Sequence, residues 1–334
     1  MKTTKVVLMG IGPLGQKIAG YISERDNPEI VGAIDMDPAK TGKTLKEVCP
    51  LIENSKSGSV IISADVRQVM EQGKPDVVLL ATVSSLERLL PQIESLAGYG
   101  AHIVSTCEEL SYPWLTQPGI SEKIDKLARD NNIAILGTGI NPGFLMDYLP
   151  VALTGVCQKV ESIAVSRVQD ATTRRVPFQK KIGAGLTIEE FDRKKAEGTL
   201  RHVGLTESMH MIAARLGWSF DRTEDVITPI LAENPEQMGD FIIQPGMCRG
   251  VQQIGRLFDG DKELIRLTFK AAIGMANPAD TIEIKGNPNI LQTIPGCVNG
   301  DVGTSAIVIN AVRSIIAAQP GLRTMLDIPV VSFS

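Results

Sequence analysis

The sequence predicts an α/β protein in which an N-terminal doubly wound parallel sheet is followed by an α+β second domain. Up to about residue 136, short β-branched runs alternate with longer amphipathic stretches, a pattern typical of parallel strands covered by helices. After residue 141, two helix-like segments precede several strand-like runs that have no helices between them. The length of 334 residues suits two such domains, each able to bury its own core.

The individual elements follow from the periodicity of the apolar residues. In the first part, strands are expected at 5–9, 30–34, 59–63, 76–81, 102–105 and 133–136, with helices at 13–24, 65–72, 86–98 and 120–131. In the second part, helices are expected at 187–197 and 204–216, and strands at 222–231, 248–258, 264–273 and 281–285. The apolar segment 303–318, closed by Gln-Pro-Gly, predicts a buried helix that returns to the first domain. The predicted domains are therefore 1–140 plus 301–334, and 141–300.

Composition narrows the class of partner. The five cysteines are widely and irregularly spaced without a C-x-x-C pair, which favours neither a disulfide framework nor a zinc or other metal site. A net charge of −4 with interspersed acids and bases offers no basic face for nucleic acid or anionic lipid. No signal-peptide pattern and no apolar run of about 18 residues is present, so we expect a cytoplasmic protein that acts on small molecules.

A glycine motif follows the first predicted strand. Gly10, Gly12 and Gly15 form G-x-G-x-x-G at the start of the next helix: the first for a tight turn, the second for close approach to a pyrophosphate, the third for helix–strand packing. Pro13 and Leu14 lie in the first helical turn, whose N–H groups and partial positive charge suit phosphates. The motif in this context predicts a Rossmann domain that binds a nicotinamide dinucleotide.

The identity of the dinucleotide depends on the end of the second strand. Asp35, 20 residues after Gly15, is placed to accept hydrogen bonds from ribose hydroxyls and to repel a 2′-phosphate, which favours NAD. The same residue suits a turn in Asp-Met-Asp-Pro. Because Lys40 and Lys43 lie just beyond and can tolerate a 2′-phosphate, NADP stays open as the alternative.

Two further segments end predicted strands on the cofactor side. Thr82 and Ser84 follow the fourth strand, where they can line the nicotinamide ribose or cap the next helix. Asn141 follows the sixth strand and is expected to contact the nicotinamide carboxamide, with Phe144 in the pocket wall. The alternative for Asn-Pro-Gly-Phe is a hinge turn.

A pair of acids follows the fifth strand. Glu108 and Glu109 lie at the carboxyl edge of the predicted sheet, where ligands of such sheets bind. Desolvation beside a nicotinamide would raise the pKa of a carboxyl group there and make it a usable proton acceptor near neutral pH. On sequence alone, a solvated loop pair or a helix cap is the more frequent role of such residues.

The second domain adds a basic cluster and a histidine. Arg174, Arg175, Lys180 and Lys181 surround Phe178 and Gln179, which suits a substrate with a carboxylate or, alternatively, a solvated surface. Of the three histidines, His102 and His210 are expected to be structural. His202 lies in a loop before a helix, from which it can reach a pocket.

Five segments carry a resemblance to a known family. They are S-T-C-E-E-L-S-Y-P-W at 105–114, G-x-N-P-G-F at 139–144, T-R-R-V-P-F-Q-K-K-I-G-A-G-L-T at 173–187, H-V-G-L-T-E-S at 202–208 and P-G-L-x-T-M-L-D-I-P at 320–329. Across nearly the whole chain, the sequence resembles the 2,4-diaminopentanoate dehydrogenases and the related native amine dehydrogenases, members of the dihydrodipicolinate-reductase-like superfamily.

The resemblance implies reversible oxidative deamination of 2,4-diaminopentanoate or a related amine to the ketone plus ammonia, with NAD or NADP as cofactor. It implies that Glu108 is the catalytic proton acceptor and that the protein is a homodimer. Five residues fall in motifs that resemble the substrate-side segments of the family: Phe144, Arg174, Phe178, Gln179 and His202.

Two alternatives remain at this point. A dihydrodipicolinate-reductase-like imine reductase is expected to carry a double-histidine motif, and the sequence contains no His-His. A non-catalytic dinucleotide-sensing module needs no proton acceptor beside the nicotinamide, so the paired acids argue against it.

Overall fold

The computed structural model describes residues 3–52, 56–174 and 176–333. The chain forms two compact units, one of Met1–Phe144 with Asn299–Ser334 and the other of Leu145–Val298. The strands are β1 (Lys5–Met9), β2 (Glu29–Ile34), β3 (Ile62–Ser63), β4 (Val77–Leu80), β5 (His102–Ser105), β6 (Ala134–Gly137), β7 (Lys159–Asp170), β8 (Arg222–Leu231), β9 (Glu236–Met238), β10 (Phe241–Ile243), β11 (Cys248–Asp259), β12 (Lys262–Ala272), β13 (Ala279–Asn287), β14 (Ile290–Pro295) and β15 (Gly321–Arg323). The helices are α1 (Pro13–Ser23), α2 (Leu45–Val48), α3 (Val66–Gly73), α4 (Leu86–Ala97), α5 (Pro118–Asp130), α6 (Tyr148–Leu153), α7 (Val176–Lys181), α8 (Ile188–Ala196), α9 (Leu205–Leu216) and α10 (Gly300–Ile316).

The first unit contains a seven-stranded sheet in the order β15-β6-β5-β4-β1-β2-β3. Every pairing in it is parallel. The central strand β4 is buried along its whole length, as expected for a parallel sheet with both faces covered. The strand order reverses between β1 and β4, and this topological switch point is where such sheets bind ligands at their carboxyl edge. The predicted Rossmann architecture is confirmed.

Helix α10 also belongs to the first unit. Asn299 caps it by accepting hydrogen bonds from the N–H groups of Asp301 and Val302. Most of its apolar residues are buried, and it packs against α1 and β5. The chain thus returns to its first sheet after residue 298 and adds β15 at the edge. This strand was not predicted, because three residues are too few to show a period.

The second unit contains a six-stranded sheet in the order β14-β13-β7-β12-β11-β8. Strand β7 is parallel to β12 and antiparallel to β13, while the other pairings are antiparallel. The predicted α+β character is confirmed. Strand β7 itself was missed, because its buried face contains Arg167 and Gln169 where an apolar pattern would place aliphatic side chains.

The main difference in the first unit concerns the third strand. The predicted strand at 59–63 is reduced to β3, because a 3-10 turn occupies Lys56–Ser59. Within the described ranges, no helix is long and apolar enough to cross a membrane.

Candidate functional site

Two glycines of the predicted motif have no room for a side chain. Gly10 has a φ of +93°, and a Cβ atom there would lie 2.5 Å from the carbonyl oxygen of Ala81. A Cβ on Gly15 would lie 1.9 Å from the carbonyl oxygen of Gly10. Strand β1 can therefore turn into α1 only with glycine at both positions.

The middle glycine differs, because space beside it is open. Gly12 is the N-cap of α1, and because glycine has no side chain, it makes no side-chain cap hydrogen bond. A Cβ atom at this position would meet no atom within 4 Å. Pro13 occupies the first helical position and Leu14 follows it, so the N–H groups of this first turn have no side-chain cap. An open cradle at an uncapped helix N-terminus fits the pyrophosphate of a dinucleotide.

Asp35 contacts the glycine loop directly. Its carboxylate accepts hydrogen bonds from the N–H of Ile11 at 2.7 Å and the N–H of Asp37 at 2.9 Å, and it pairs with Lys40 Nζ at 3.1 Å. Burial acts to raise the pKa of Asp35, but the hydrogen bonds from Asp37, Ile11 and Lys40 outweigh burial and lower the pKa. The ionised carboxylate thus organises the loop, and the nearby lysine compensates its charge.

Thr82 and Ser84 lie in the turn between β4 and α4. Thr82 covers the glycine loop, since a Cβ on Gly10 would meet its methyl carbon at 2.9 Å, and its hydroxyl donates to Gln92 at 2.7 Å. Ser85, not Ser84, is the N-cap of α4, and the Ser85 side chain makes no cap hydrogen bond.

The two adjacent acids directly follow the fifth strand. They lie in a 3-10 turn, Glu108–Leu110, directly after β5. Oε2 of Glu109 accepts the N–H of Leu86 at 2.7 Å, which caps α4 from a distance, and also Nε2 of Gln117 at 2.8 Å. Glu108 is half-buried, and its carbonyl oxygen accepts hydrogen bonds from Ser111. One acid of the pair is therefore a helix cap, as the structural alternative predicted.

The segment with Asn141 is tightly folded. Asn141 is buried and joined to Pro142 by a cis peptide bond. Gly143 has a φ of +117°, and a Cβ there would lie 2.4 Å from the amide nitrogen of Gly139. Half-buried Phe144 follows as the last residue of this stretch of the first unit. The glycines of G-x-N-P-G-F thus allow the close backbone contact that fixes Asn141.

In the second unit, the basic cluster lies around α7. The guanidinium of Arg174 lies over the ring of Phe178, 4.1 Å from its centroid. Gln179 is buried and its amide donates to the carbonyl oxygens of Ala171 at 2.8 Å and Thr172 at 3.2 Å, so it supports this turn from within. Arg175 lies outside the described residues.

His202 lies just before α9. Its ring packs against Phe269 with centroids 4.5 Å apart, and Nδ1 lies 2.9 Å from the carbonyl oxygen of Val203. Desolvation and the positive charges of Arg167 and Lys181 lower the pKa of His202 to about 3. The imidazole is therefore neutral at ordinary pH. Since Nδ1 faces an acceptor, it carries the proton, and Nε2 has the lone pair.

Gln253, which holds the His202 backbone, was not predicted from the sequence. Its Oε1 accepts the His202 N–H at 2.7 Å, and its Nε2 donates to the His202 carbonyl oxygen at 3.1 Å. The available signal was a glutamine between Val251 and Leu257 on the apolar face of an alternating strand.

Comparisons with known proteins show which family the chain resembles. A model for the 2,4-diaminopentanoate dehydrogenase C-terminal domain matches residues 144–333. The chain is 31% identical to a 2,4-diaminopentanoate dehydrogenase of Acetoanaerobium sticklandii over 99% of this chain and 94% of that protein. It is 28% identical to a 4-hydroxy-tetrahydrodipicolinate reductase of Dehalococcoides mccartyi, over only 41% of this chain and 46% of that one.

The fold has a full-length counterpart among solved structures. An amine dehydrogenase from Mycobacterium smegmatis matches with a TM-score of 0.85 at 22% identity, covering 100% of this chain and 98% of that chain. The partial likeness to the reductase contrasts with the full-length likeness to the diaminopentanoate enzyme. The glycine loop and the family model together indicate an oxidoreductase with a nicotinamide cofactor, and the chain belongs to the 2,4-diaminopentanoate dehydrogenase family.

Proposed function

We propose that the protein is an NAD(P)-dependent amine dehydrogenase that reversibly converts 2,4-diaminopentanoate or a related amine to the ketone plus ammonia, with Glu108 as proton acceptor. The observation that carries the proposal is the position of the paired acids, which directly follow β5 at the carboxyl edge of the sheet. Glu109 is engaged by the N–H of Leu86 and by Gln117, so its carboxylate serves as a cap. Glu108 follows β5 at the carboxyl edge of the sheet, where ligands of this architecture bind.

The role of Glu108 follows from the proton balance of the reaction. The substrate ammonium must first lose a proton, because only the neutral amine can release hydride from its carbon; Glu108 accepts that proton. The nicotinamide, when bound, supplies the acceptor for the hydride. After Glu108 has released this proton to solvent, it accepts one from the water that adds to the iminium carbon and returns it to the nitrogen, which leaves as ammonia when the C–N bond breaks. In the reverse direction, the same carboxyl group manages the addition of ammonia to the ketone.

Residues of the second unit are proposed to recognise the rest of the substrate. His202 is neutral, so its Nε2 can accept a hydrogen bond from an amine N–H. Arg174, with its guanidinium over Phe178, has the charge that suits a substrate carboxylate. Gln179 contributes by holding the 171–172 backbone, and Phe144 is proposed to line the substrate pocket.

For the cofactor, we propose that both NAD and NADP are accepted. Gly10, Gly12 and Gly15 with the first turn of α1 would hold the pyrophosphate; Thr82, Ser84 and Asn141 would contact the nicotinamide half. Asp35 would accept hydrogen bonds from the ribose of NAD. Because Lys40 lies 3.1 Å from that carboxylate, it offsets the repulsion that a 2′-phosphate would otherwise meet.

The test is an assay of NAD and NADP reduction with 2,4-diaminopentanoate and with simple alkylamines. Replacing Glu108 by Gln should lower kcat by about 10²- to 10⁴-fold while leaving cofactor affinity unchanged. Glu109→Gln is the matched control, because the amide oxygen can still accept the N–H of Leu86. No turnover of any amine by the wild type, or near-normal turnover by Glu108→Gln, would overturn the proposal.

We also propose a homodimer, as the family resemblance implies. Multi-angle light scattering of the purified protein tests it, and a monomeric mass would contradict it.

A further inference from the structure

Gln253 occupies an unusual place for a polar side chain. It is fully buried in β11, on the face of the second unit's sheet that packs against the protein interior. Its Oε1 and Nε2 bond both polar groups of the His202 backbone, and Nε2 also donates to the two carboxylate oxygens of Asp225, each at 2.9 Å. A side chain here holds a loop residue in the way that a neighbouring strand would hold a strand residue.

Asp225 fixes which end of the amide faces which partner. Burial raises the pKa of Asp225, against the hydrogen bond from Gln253 and the charge of Arg201. Both carboxylate oxygens lie 2.9 Å from Nε2 of Gln253, and two acceptor oxygens at this distance require the NH2 group of the amide to point towards them. The amide oxygen is then directed to the N–H of His202. Asp225 on β8, the strand next to β11, therefore determines the orientation of the Gln253 amide that bonds the His202 backbone.

The residues beside Gln253 form a row across the sheet. Asp280, Arg167, Phe269 and Gln253 are direct partners in register on β13, β7, β12 and β11. Arg167 and Asp280 form a buried ion pair at 2.8 Å, and the ring of His202 packs on Phe269. The row therefore holds the ring of His202 through Phe269 and its backbone through Gln253.

We infer that Gln253, oriented by Asp225, is a positioning residue that acts through His202 on recognition of the amine substrate. The inference rests on the proposed function, in which Nε2 of His202 contacts the substrate. Loop residues ordinarily move more than strands, so a contact made from a loop needs such support. A misplacement of about 1 Å in a group that orients a substrate can cost about 10²-fold in rate.

The first test is a double-mutant cycle. Gln253→Met keeps the length of the side chain and removes its hydrogen bonds to the His202 backbone and to Asp225. The kcat/KM for the amine should fall about 10- to 100-fold, as expected when the hydrogen bonds that hold His202 are lost. Cofactor affinity should stay within about twofold, since the changed contacts belong to the second unit. In a His202→Asn background the same change should cost less than about twofold. Additive losses would overturn the inference.

The matched control is Gln252→Met, the same exchange one position earlier in β11. Gln252 lies on the opposite face of the sheet, and β-strand alternation keeps it away from His202. Its kcat/KM should stay near that of the wild type. An equal loss in this variant would show that the methionine damages the strand, and the inference would fail.

The second test does not depend on turnover. The chain has three histidines, so ¹⁵N signals of the imidazoles can be assigned by single substitutions. In the wild type the His202 ring should stay neutral through the acid range, whereas in Gln253→Met, with the loop released, its titration should move towards 6.5, the ordinary histidine value. An unchanged His202 signal in that variant would refute the clamp, even if no amine proves to be a substrate.

A third test uses two other variants, in case Gln253→Met does not fold. Gln253→Glu places a carboxylate against Asp225, so it should lower kcat/KM; adding Asp225→Asn supplies a donor to the new carboxylate and should recover part of the loss. Failure of the second change to recover any activity or any of the His202 signal would contradict the proposed orientation by Asp225.

Discussion

Lys40 offers a direct test of the proposal that the first unit accepts both NAD and NADP. The Nζ atom lies 3.1 Å from Asp35, and their side chains are only 23% and 12% exposed. Two unit charges about 4 Å apart interact by about 1 kcal/mol in water and about 4 kcal/mol at an effective dielectric constant of about 20. At this partly shielded position, Lys40→Met should weaken the binding free energy of NADPH by about 2 kcal/mol, because the 2′-phosphate loses a nearby positive charge. Because about 1.4 kcal/mol is tenfold, the Kd of NADPH should rise about 10- to 30-fold.

The assay is a fluorescence titration of NADPH and NADH against wild type and Lys40→Met at two salt concentrations. NADH, which lacks the 2′-phosphate, should bind with a Kd within about threefold of the wild-type value, since only the Asp35 carboxylate is perturbed. Exposed Lys43 provides the control, because Lys43→Met removes an equal charge at greater solvent screening. Equal weakening of both cofactors, or equal effects of the two lysine variants, would refute the assignment of Lys40.

Three further predictions concern the same sites. Glu109→Ala should lower the free energy of unfolding by about 1 to 2 kcal/mol through loss of the α4 cap, measured by urea denaturation, and a stability equal to wild type would contradict the cap. Gly12→Ala should fold normally and weaken the binding of either cofactor, whereas Gly15→Ala should yield little folded protein, because its Cβ would lie 1.9 Å from a carbonyl oxygen; thermal melts and cofactor titration separate the two. The folded state keeps His202 neutral with a pKa of about 3 against 6.5 when unfolded, so stability should decline as the pH falls from 6.5 towards 3, and His202→Asn should flatten this part of the urea midpoint profile.

The fold of the first unit was readable from the sequence because its signals are local. Strands β1, β2, β4, β5 and β6 each contain a run of β-branched or aliphatic residues, and amphipathic helices lie between most of them. The second unit was harder. Strand β7 is the centre of a mixed sheet, yet its buried positions include Arg167, whose charge is balanced by Asp280 far along the chain. A long-range ion pair leaves no local period to detect.

In the candidate site, too, local features could be predicted from the sequence and long-range contacts could not. The roles of Gly10 and Gly15 follow from a fixed spacing after a strand, and the structure supplies the steric reason. The capping role of Glu109 has no counterpart in the sequence, because it depends on where the N-terminus of α4 lies relative to the turn after β5. The resemblance to the family implies that Glu108 is the base, whereas only tertiary contacts explain what its neighbour does.

The buried polar residues in the row across the second unit's sheet are the main physical argument for a functional role of this sheet. Arg167, Gln253 and Asp280 are at most 2% exposed, and burying such groups costs free energy that hydrogen bonds and ion pairs only partly return. Apolar side chains at these positions would pack a sheet face at lower cost. What the polar row provides instead is a neutral histidine held by its ring and by its backbone. A sheet selected for stability alone has no need of these groups, whereas one that holds His202 in a fixed position, as the proposed function requires, does need them.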